Sequence, residues 1–210
     1  MDENLRTVVE KRIERTMANL KNNKMAAYYV KTAQEVVPLI QELCAEGETV
    51  TCGGSVTLSE CGVLEHLKSG RYDYLDRYAA GADVQKIFRQ AFSCDTYITS
   101  TNAITEAGEL YNIDGNGNRV AAMLFGPKSV IVVAGYNKIV TNLEEAQTRL
   151  RQVAAPANAV RLNTATPCKV LGACNDCHGD GRICCDYVVM SQQRIANRVK
   201  VILVGEQLGY

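Results

Sequence analysis

This sequence lacks an excess of either charge, an apolar run of membrane-spanning length and a dinucleotide-binding fingerprint. Its 23 basic residues balance its 23 acidic residues, so bulk charge does not attract nucleic acid. The N-terminal sequence is charged and periodic, without the apolar core of a signal peptide. Gly115-Asn116-Gly117 lacks the third glycine of the G-x-G-x-x-G motif, which argues against a nicotinamide or flavin site. We therefore expect a soluble cytoplasmic protein that binds neither nucleic acid nor membrane.

The chain length and the order of its segments predict one α/β domain. At 210 residues, 47% of them hydrophobic, the chain suits one well-buried domain over residues 1–210, which opens with a helix over 1–24. Helical and strand-like segments alternate, and the apolar run Val130 to Ala134 is typical of a strand buried on both faces. Tyr187 to Met190 and Val199 to Val204 are predicted to complete the sheet. The expected fold has three layers around a doubly wound, mostly parallel sheet.

Polar side chains are concentrated between Thr99 and Lys138, directly after a predicted strand from Asp95 to Thr99. Open α/β sheets place their binding sites at strand ends that lead into polar loops. Asp114-Gly115 and Asn116-Gly117 are dipeptides with a strong hairpin preference. We predict a hairpin here that also lines a pocket.

Three loops follow predicted strands and carry residues suited to a polar ligand. If the strands are parallel, the loops share one edge of the sheet and can face one cavity. Lys138 can supply charge to a small anionic metabolite, whereas a tight capped turn is the alternative for Gly53-Gly54-Ser55. The predicted ligand-binding residues are Gly53, Gly54, Ser55, Thr57, Thr101, Asn102, Thr105, Asn137 and Lys138.

Glu106 is the predicted catalytic residue. In the shared pocket its carboxylate can act as a base or as a nucleophile. The alternative is a solvated carboxylate in a hairpin turn. Arg119 and Lys128 are predicted to be solvated surface residues.

Nine cysteines are many for a chain expected to stay in a reducing compartment. Cys44, Cys52, Cys61 and Cys94 stand among apolar neighbours and are predicted to be buried small hydrophobic residues. The other five lie in a glycine-containing stretch over residues 164–186, named here the cysteine segment.

The cysteine segment has the pattern Cys168-x5-Cys174-x2-Cys177-x6-Cys184-Cys185. Four or five thiols so close together are suited to zinc or to an iron–sulfur cluster, although only the Cys174–Cys177 spacing is a common ligand spacing. The predicted metal ligands are Cys168, Cys174, Cys177 and Cys184, with Cys185 as the alternative to Cys184. A loop of reduced cysteines without metal is the other interpretation.

Three segments carry a family signal: GGSVTLSECG, TSTNAITEAGELYNIDGNGNRVAAMLFGPKSVIVVAGYNKIV and VILVGEQLGY. In them the chain resembles the LUD domain family, named for lactate utilisation, and the resemblance extends over nearly the whole chain. It implies a fold of the NagB/RpiA/CoA-transferase type. It also implies a role in oxidising L-lactate or a related organic acid, beside partner subunits that carry iron–sulfur clusters.

Two functions of different classes follow. The first is a component of organic-acid oxidation that binds a small anion at the strand ends and passes electrons through the cysteine segment. The second is a non-catalytic assembly module that senses a metabolite or redox state for a partner oxidoreductase. Transferase or isomerase chemistry inherited from the fold is a weaker third.

Overall fold

Strands and helices alternate along this computed structural model, which describes residues 2–210. The strands are β1 Ala26–Val30, β2 Thr49–Cys52, β3 Asp73–Tyr74, β4 Thr96–Thr99, β5 Ala103–Thr105, β6 Leu110–Asp114, β7 Ser129–Gly135, β8 Ile139–Val140, β9 Asp186–Met190 and β10 Val199–Val204. The α-helices are α1 Glu3–Asn22, α2 Val36–Leu43, α3 Val56–Glu60, α4 Val63–Leu67, α5 Val84–Gln90, α6 Asn118–Leu124, α7 Leu143–Arg149, α8 Ala155–Arg161 and α9 Pro167–Leu171. A π-helical turn, Leu150–Ala154, joins α7 to α8.

The central sheet contains six strands in the order β1-β10-β7-β4-β2-β3. Every pair of neighbours in it is parallel. Because parallel strands need crossover connections, helices lie between most of them in the chain. The prediction of an α/β fold around a mostly parallel sheet is confirmed.

Strand β7 shows how the sheet separates two cores. Its side chains alternate between the faces, so Val130 and Val132 belong to the core that includes Met123 of α6, together with residues of α1. Ile131 and Val133 belong to the opposite core, which includes residues of α2, α3 and α4. All four valine and isoleucine side chains are fully buried, as the apolar run predicts. Helices on both faces give the three predicted layers.

A second sheet of four strands, in the order β8-β5-β6-β9, stands beside the first. The prediction that Tyr187 to Met190 completes the central sheet is therefore wrong, because β9 pairs antiparallel with β6. Its side chains explain the difference: Tyr187 and Val189 are 43% and 40% exposed. A strand inside a parallel sheet is covered on both faces, whereas an antiparallel strand tolerates one open face.

The predicted hairpin exists, but its turn lies elsewhere. β5 and β6 pair antiparallel, and the chain reverses between Thr105 and Glu109 through Gly108, whose φ is +81°. The Asp114-Gly115-Asn116-Gly117 stretch instead leads from β6 into α6. The Asp114 carboxylate accepts hydrogen bonds from the amides of Gly115 and Val120, at 2.9 and 3.1 Å, and so fixes the start of that helix.

The helical segment after β2 is divided into α3 and α4. Gly62 adopts φ +70°, a left-handed conformation that ends α3 and begins α4. Thr32 and Glu35 form a capping box, and a 3₁₀ turn over Ala33–Glu35 precedes α2. From Asp2 to Tyr210, none of the helices has both the length and the apolar character to cross a membrane.

Candidate functional site

The sheet order creates a crevice between β2 and β4. These strands are neighbours, but the chain leaves β2 towards β3 on one side and leaves β4 towards β7 on the other. Loops that depart in opposite directions leave a gap at the carboxyl ends of the strands, where open α/β sheets bind ligands. A cavity of about 310 Å³ occupies this position, and we name it the strand-end cavity.

Six of the nine predicted ligand-binding residues line the strand-end cavity. They come from the loops after β2, β4 and β7, so the prediction that three loops share one edge agrees with their positions. These six residues are Gly54, Ser55, Thr57, Thr101, Asn102 and Lys138.

The other three predicted ligand-binding residues lie behind or beside the cavity wall. A Cβ on Gly53 would lie 2.7 Å from Thr99 Oγ1, so glycine allows the loop to pass close to β4. The Asn137 side chain holds the segment Leu208–Tyr210, accepting from the Leu208 amide at 3.1 Å. Thr105 is buried and donates to a Glu109 carboxylate oxygen at 3.0 Å.

Lys138 joins the three loops. Its Nζ donates hydrogen bonds of 2.9 Å to both Thr57 Oγ1 and Ser100 Oγ, which follow β2 and β4. The residue is 2% exposed, and in residues 2–210 no carboxylate forms an ion pair with its Nζ. An ammonium group makes three donations, so one N–H remains for a ligand in the cavity.

The environment of Lys138 changes its protonation. Burial, together with the nearby guanidinium groups of Arg149 and Arg119, lowers its pKa to about 7. Near neutral pH both forms are therefore populated. The protonated amine can bind an anion, and the neutral amine can accept a proton.

Arg119 is a buried structural residue, and its prediction as a solvated one is wrong. Its side chain is 14% exposed. The guanidinium donates to Asn112 Oδ1 and to the Ile113 carbonyl, both at 2.6 Å, and to Asn102 Oδ1 at 3.2 Å. These bonds orient the Asn102 side chain at the cavity. Lys128, in contrast, is 84% exposed beside Asp95, as predicted for a surface residue.

Glu106 lies outside the strand-end cavity. Its carboxylate pairs with Arg12 Nε at 2.7 Å and with Arg15 Nη2 at 3.5 Å, both on α1. The three residues of β5 follow the polar loop and carry the chain about 10 Å away from it, because a strand rises about 3.3 Å per residue. This position does not support the predicted role as a base at the cavity and agrees with the alternative of a hairpin carboxylate.

Sequence reasoning did not identify several basic and aromatic residues of the cavity. Arg77, Phe88, Arg161, Arg182 and Tyr210 line it, although none follows a predicted strand directly. Their approach depends on how α5, α8 and the cysteine segment fold back over the strand ends. Arg182, which directly follows Gly179-Asp180-Gly181 in the cysteine segment, is the residue whose position could have suggested this role.

The cysteine segment forms part of the cavity wall through Cys184. Burial raises the pKa of the Cys184 thiol to about 11, and the nearby thiols of Cys174, Cys168 and Cys177 contribute to the increase. The thiols of the four predicted metal ligands thus affect one another electrostatically. Cys185 is exposed.

The thiols are not arranged around a single ion. In the part of the chain that the structure describes, no three side chains of His, Cys, Asp or Glu are grouped closely enough to hold a metal ion. By chemistry alone, four cysteine thiols are the donor type that both zinc and iron–sulfur clusters use.

The four scattered cysteines are buried, as predicted. Burial raises the pKa of Cys44 to about 12 and that of Cys61 and Cys94 to about 11. Such thiols stay protonated near neutral pH and are poor nucleophiles.

The fold and the site define a doubly wound α/β protein with a basic cavity at its strand ends. A model of the LUD domain matches residues 13–204. The chain therefore belongs to the LUD domain family, and membership supports a role related to lactate utilisation, for which the family is named. No curated protein matches the chain.

Three solved structures show weak similarity to the chain. A DUF162 family protein from Deinococcus radiodurans has 13% identity and a TM-score of 0.49, covering 95% of this chain and 98% of its own. The eIF2B beta protein from Chaetomium thermophilum has 13% identity and a TM-score of 0.38, covering 52% and 43%. Ribose 5-phosphate isomerase from Plasmodium falciparum has 20% identity and a TM-score of 0.33, covering 52% and 53%. With TM-scores below 0.5, none of them supports an inference about this chain.

Proposed function

We propose that this protein is a component of L-lactate or related organic-acid oxidation, and that it binds a small organic anion in the strand-end cavity. The observation that carries the proposal is Lys138, a buried amine whose partners are two hydroxyl groups. A buried ammonium is costly unless it is paired. An anionic ligand supplies the missing charge, while Thr57 and Ser100 hold the amine in place.

Calorimetric titration of the protein with L-lactate at pH 6.5 tests this function. We expect saturable binding, weakened about tenfold or more by Lys138→Met, because the variant removes the charge and keeps the side-chain length. Lys128→Met is the matched control, since it removes an exposed lysine far from the cavity. Equal lactate binding by the wild type and Lys138→Met would contradict the proposal, as would the absence of binding to any small carboxylate.

We propose further that Cys168, Cys174, Cys177 and Cys184 bind an iron–sulfur cluster or zinc. When bound, a cluster would supply one-electron transfer beside the ligand, because Cys184 is in the cavity wall. This role accords with partner subunits that are themselves iron–sulfur oxidoreductases.

Metal and acid-labile sulfide analysis, with a visible spectrum, tests the cysteine segment in protein purified without oxygen. Stoichiometric iron and sulfide are expected for a cluster, and zinc alone indicates a structural site. Cys184→Ser should lose the metal, whereas Cys185→Ser should retain it, because that neighbouring thiol is exposed and Cys184 is partly buried. Metal-free wild-type protein would contradict this proposal and leave the anion site intact.

One observation favours the alternative of a non-catalytic sensing module. Glu106 is neutralised by Arg12 and Arg15 and does not reach the cavity. The cavity carboxylate Asp114 already accepts two backbone hydrogen bonds. Lactate oxidation by the protein reconstituted with its oxidoreductase partners distinguishes the two functions. If the protein is a catalytic subunit, Lys138→Met abolishes lactate oxidation. If it is a sensor, Lys138→Met abolishes only the response of the partners to the metabolite.

A further inference from the structure

The strand-end cavity is more basic than a single carboxylate requires. L-Lactate has one negative charge and six non-hydrogen atoms, whereas a cavity of about 310 Å³ is within the range that holds much larger ligands. One acidic side chain, Asp114, is among the described residues that line it. The basic residues of the lining are Arg77, Arg119, Lys138, Arg161 and Arg182.

Two of the arginines already have their partners within the protein. Arg119 donates to four oxygen atoms of the protein and lies 3.7 Å from the Asp114 carboxylate. Arg182 pairs with Asp176 at 3.1 Å and donates to the carbonyls of Cys177 and Cys184. Both guanidinium groups therefore stabilise the cavity wall and have few N–H groups left for a ligand.

Arg77 is held by aromatic rings instead. Its Cζ lies 4.8 Å from the ring centroid of Phe88 and 5.2 Å from that of Tyr78. Across residues 2–210 it forms no ion pair with a carboxylate. Stacking fixes the plane of a guanidinium while leaving the N–H groups at its edge available.

Arg161 lines the same cavity as Arg77. Its Nε and Nη2 donate to Asn158 Oδ1 at 3.1 and 2.7 Å, so the remaining N–H groups are available and the side chain is oriented. Burial raises the pKa of the Tyr78 hydroxyl, and the charges of Arg77 and Arg161 oppose that increase. A Cβ on Gly54 would be 3.6 Å from that hydroxyl and 3.8 Å from Arg77 Nη1, so this cluster lies beside the loop after β2.

We propose that Arg77 and Arg161 form a phosphate subsite in the outer part of the strand-end cavity. The ligand is then an organic acid that carries a phosphate or phosphodiester group, with its carboxylate directed to Lys138. Guanidinium forks match the geometry of phosphate oxygens and bind them through paired hydrogen bonds. For the carboxylate group of the ligand, this inference rests on the proposed function. For the phosphate group, it rests only on Arg77 and Arg161.

Calorimetric titrations with L-lactate, 2-phospho-L-lactate and inorganic phosphate test the subsite in the full chain. We expect the wild type to bind 2-phospho-L-lactate about tenfold or more tightly than L-lactate. Arg77→Ala and Arg161→Ala should each remove most of this advantage and leave the affinity for L-lactate within about twofold. Arg77→Lys should recover only part of it, because lysine restores the charge without the fork.

Arg89→Ala is the control for loss of an arginine. Arg89 is exposed on α5 and donates to the Gln85 carbonyl, so the variant changes the net charge equally but should leave every affinity unchanged. Equal affinity of the wild type for L-lactate and 2-phospho-L-lactate, or an advantage that survives in both alanine variants, would overturn the subsite.

The phosphate titration separates this inference from the proposed function. Phosphate binding that is lost in Arg77→Ala and Arg161→Ala but retained in Lys138→Met supports the subsite even if L-lactate does not bind, in which case only the lactate function fails. Lactate binding that depends on Lys138, with no gain from phosphate, overturns the subsite and leaves the proposed function standing.

Discussion

The Nζ of Lys138 lies 2.9 Å from the Oγ of Ser100, although the two residues follow different strands of the central sheet. The same amine reaches Thr57 beyond a third strand. One side chain thus fixes the spacing of the loops after β2, β4 and β7. Four predictions follow from this site and the residues around it.

Lys138→Met should change how the free energy of unfolding depends on pH. The folded pKa of Lys138 is about 7, whereas an unfolded lysine keeps its proton to about pH 10. The unfolded state therefore binds more protons between these values, and the contribution of Lys138 to stability increases with pH across that window. Measured by urea unfolding, the free energy of unfolding of the wild type minus that of the variant should rise between pH 7 and 10 by on the order of 4 kcal/mol. Lys128→Met should show no such rise, and a flat difference for Lys138→Met would contradict the lowered pKa.

Anion affinity should fall as the pH rises above 7. The protonated form of Lys138 binds the anion, so ligand binding takes up a proton once the free amine is neutral. We expect affinity for L-lactate to decrease by about tenfold per pH unit above the pKa of the free amine. Titrations at pH 8 in buffers of different ionisation enthalpy should detect proton uptake, and pH-independent binding would exclude Lys138 as the anion ligand.

Glu106→Gln should affect stability more than ligand binding. The substitution removes ion pairs with Arg12 and Arg15 at a partly exposed site, for an expected loss of about 1 kcal/mol in the free energy of unfolding. Lactate affinity should stay within about twofold of the wild type, because the carboxylate is outside the cavity. A folded Glu106→Gln protein that no longer binds or oxidises lactate would restore the catalytic role.

Gly53→Ala should destabilise the protein although the substitution adds only one methyl group. Its Cβ would lie 2.7 Å from Thr99 Oγ1 and 3.1 Å from Tyr97 Oη, so the loop after β2 must move. We expect a loss of about 1–3 kcal/mol in urea unfolding, together with weaker ligand binding. Gly179→Ala is the control, because its Cβ would meet no atom within 4 Å. Equal stability of the two variants would show that the loop absorbs the methyl group freely.

The sheet could be predicted because its signal is local. Val130 to Ala134 is apolar at every position. Such a run is typical of a strand that is covered on both faces. The loops after such strands were then predictable as one site, since parallel strands bring their carboxyl ends to the same edge. Six of the residues that line the strand-end cavity were identified in this way.

The remainder of the site depends on tertiary packing that no local pattern encodes. Arg77 and Arg161 are far apart in the chain, and they line one cavity only because the loop before α5 and the end of α8 both approach the strand ends. Arg119 lies soon after Asn116-Gly117, a dipeptide typical of exposed turns. Its guanidinium is nevertheless mostly buried, because it donates hydrogen bonds to the Ile113 carbonyl and to the side chains of Asn102 and Asn112. Glu106 was misplaced because a three-residue strand separates it from the polar loop.

Cys184 links two events that would otherwise be independent. Its side chain borders the strand-end cavity, and burial together with the thiols of Cys174, Cys168 and Cys177 raises its pKa. Any group that binds these thiols and thereby changes the affinity for the cavity ligand must have its own affinity changed by the same factor when that ligand is bound. The fraction of the cysteine segment that is occupied would then depend on the concentration of the metabolite. Binding of the metabolite would in turn depend on the redox state of the cysteine segment.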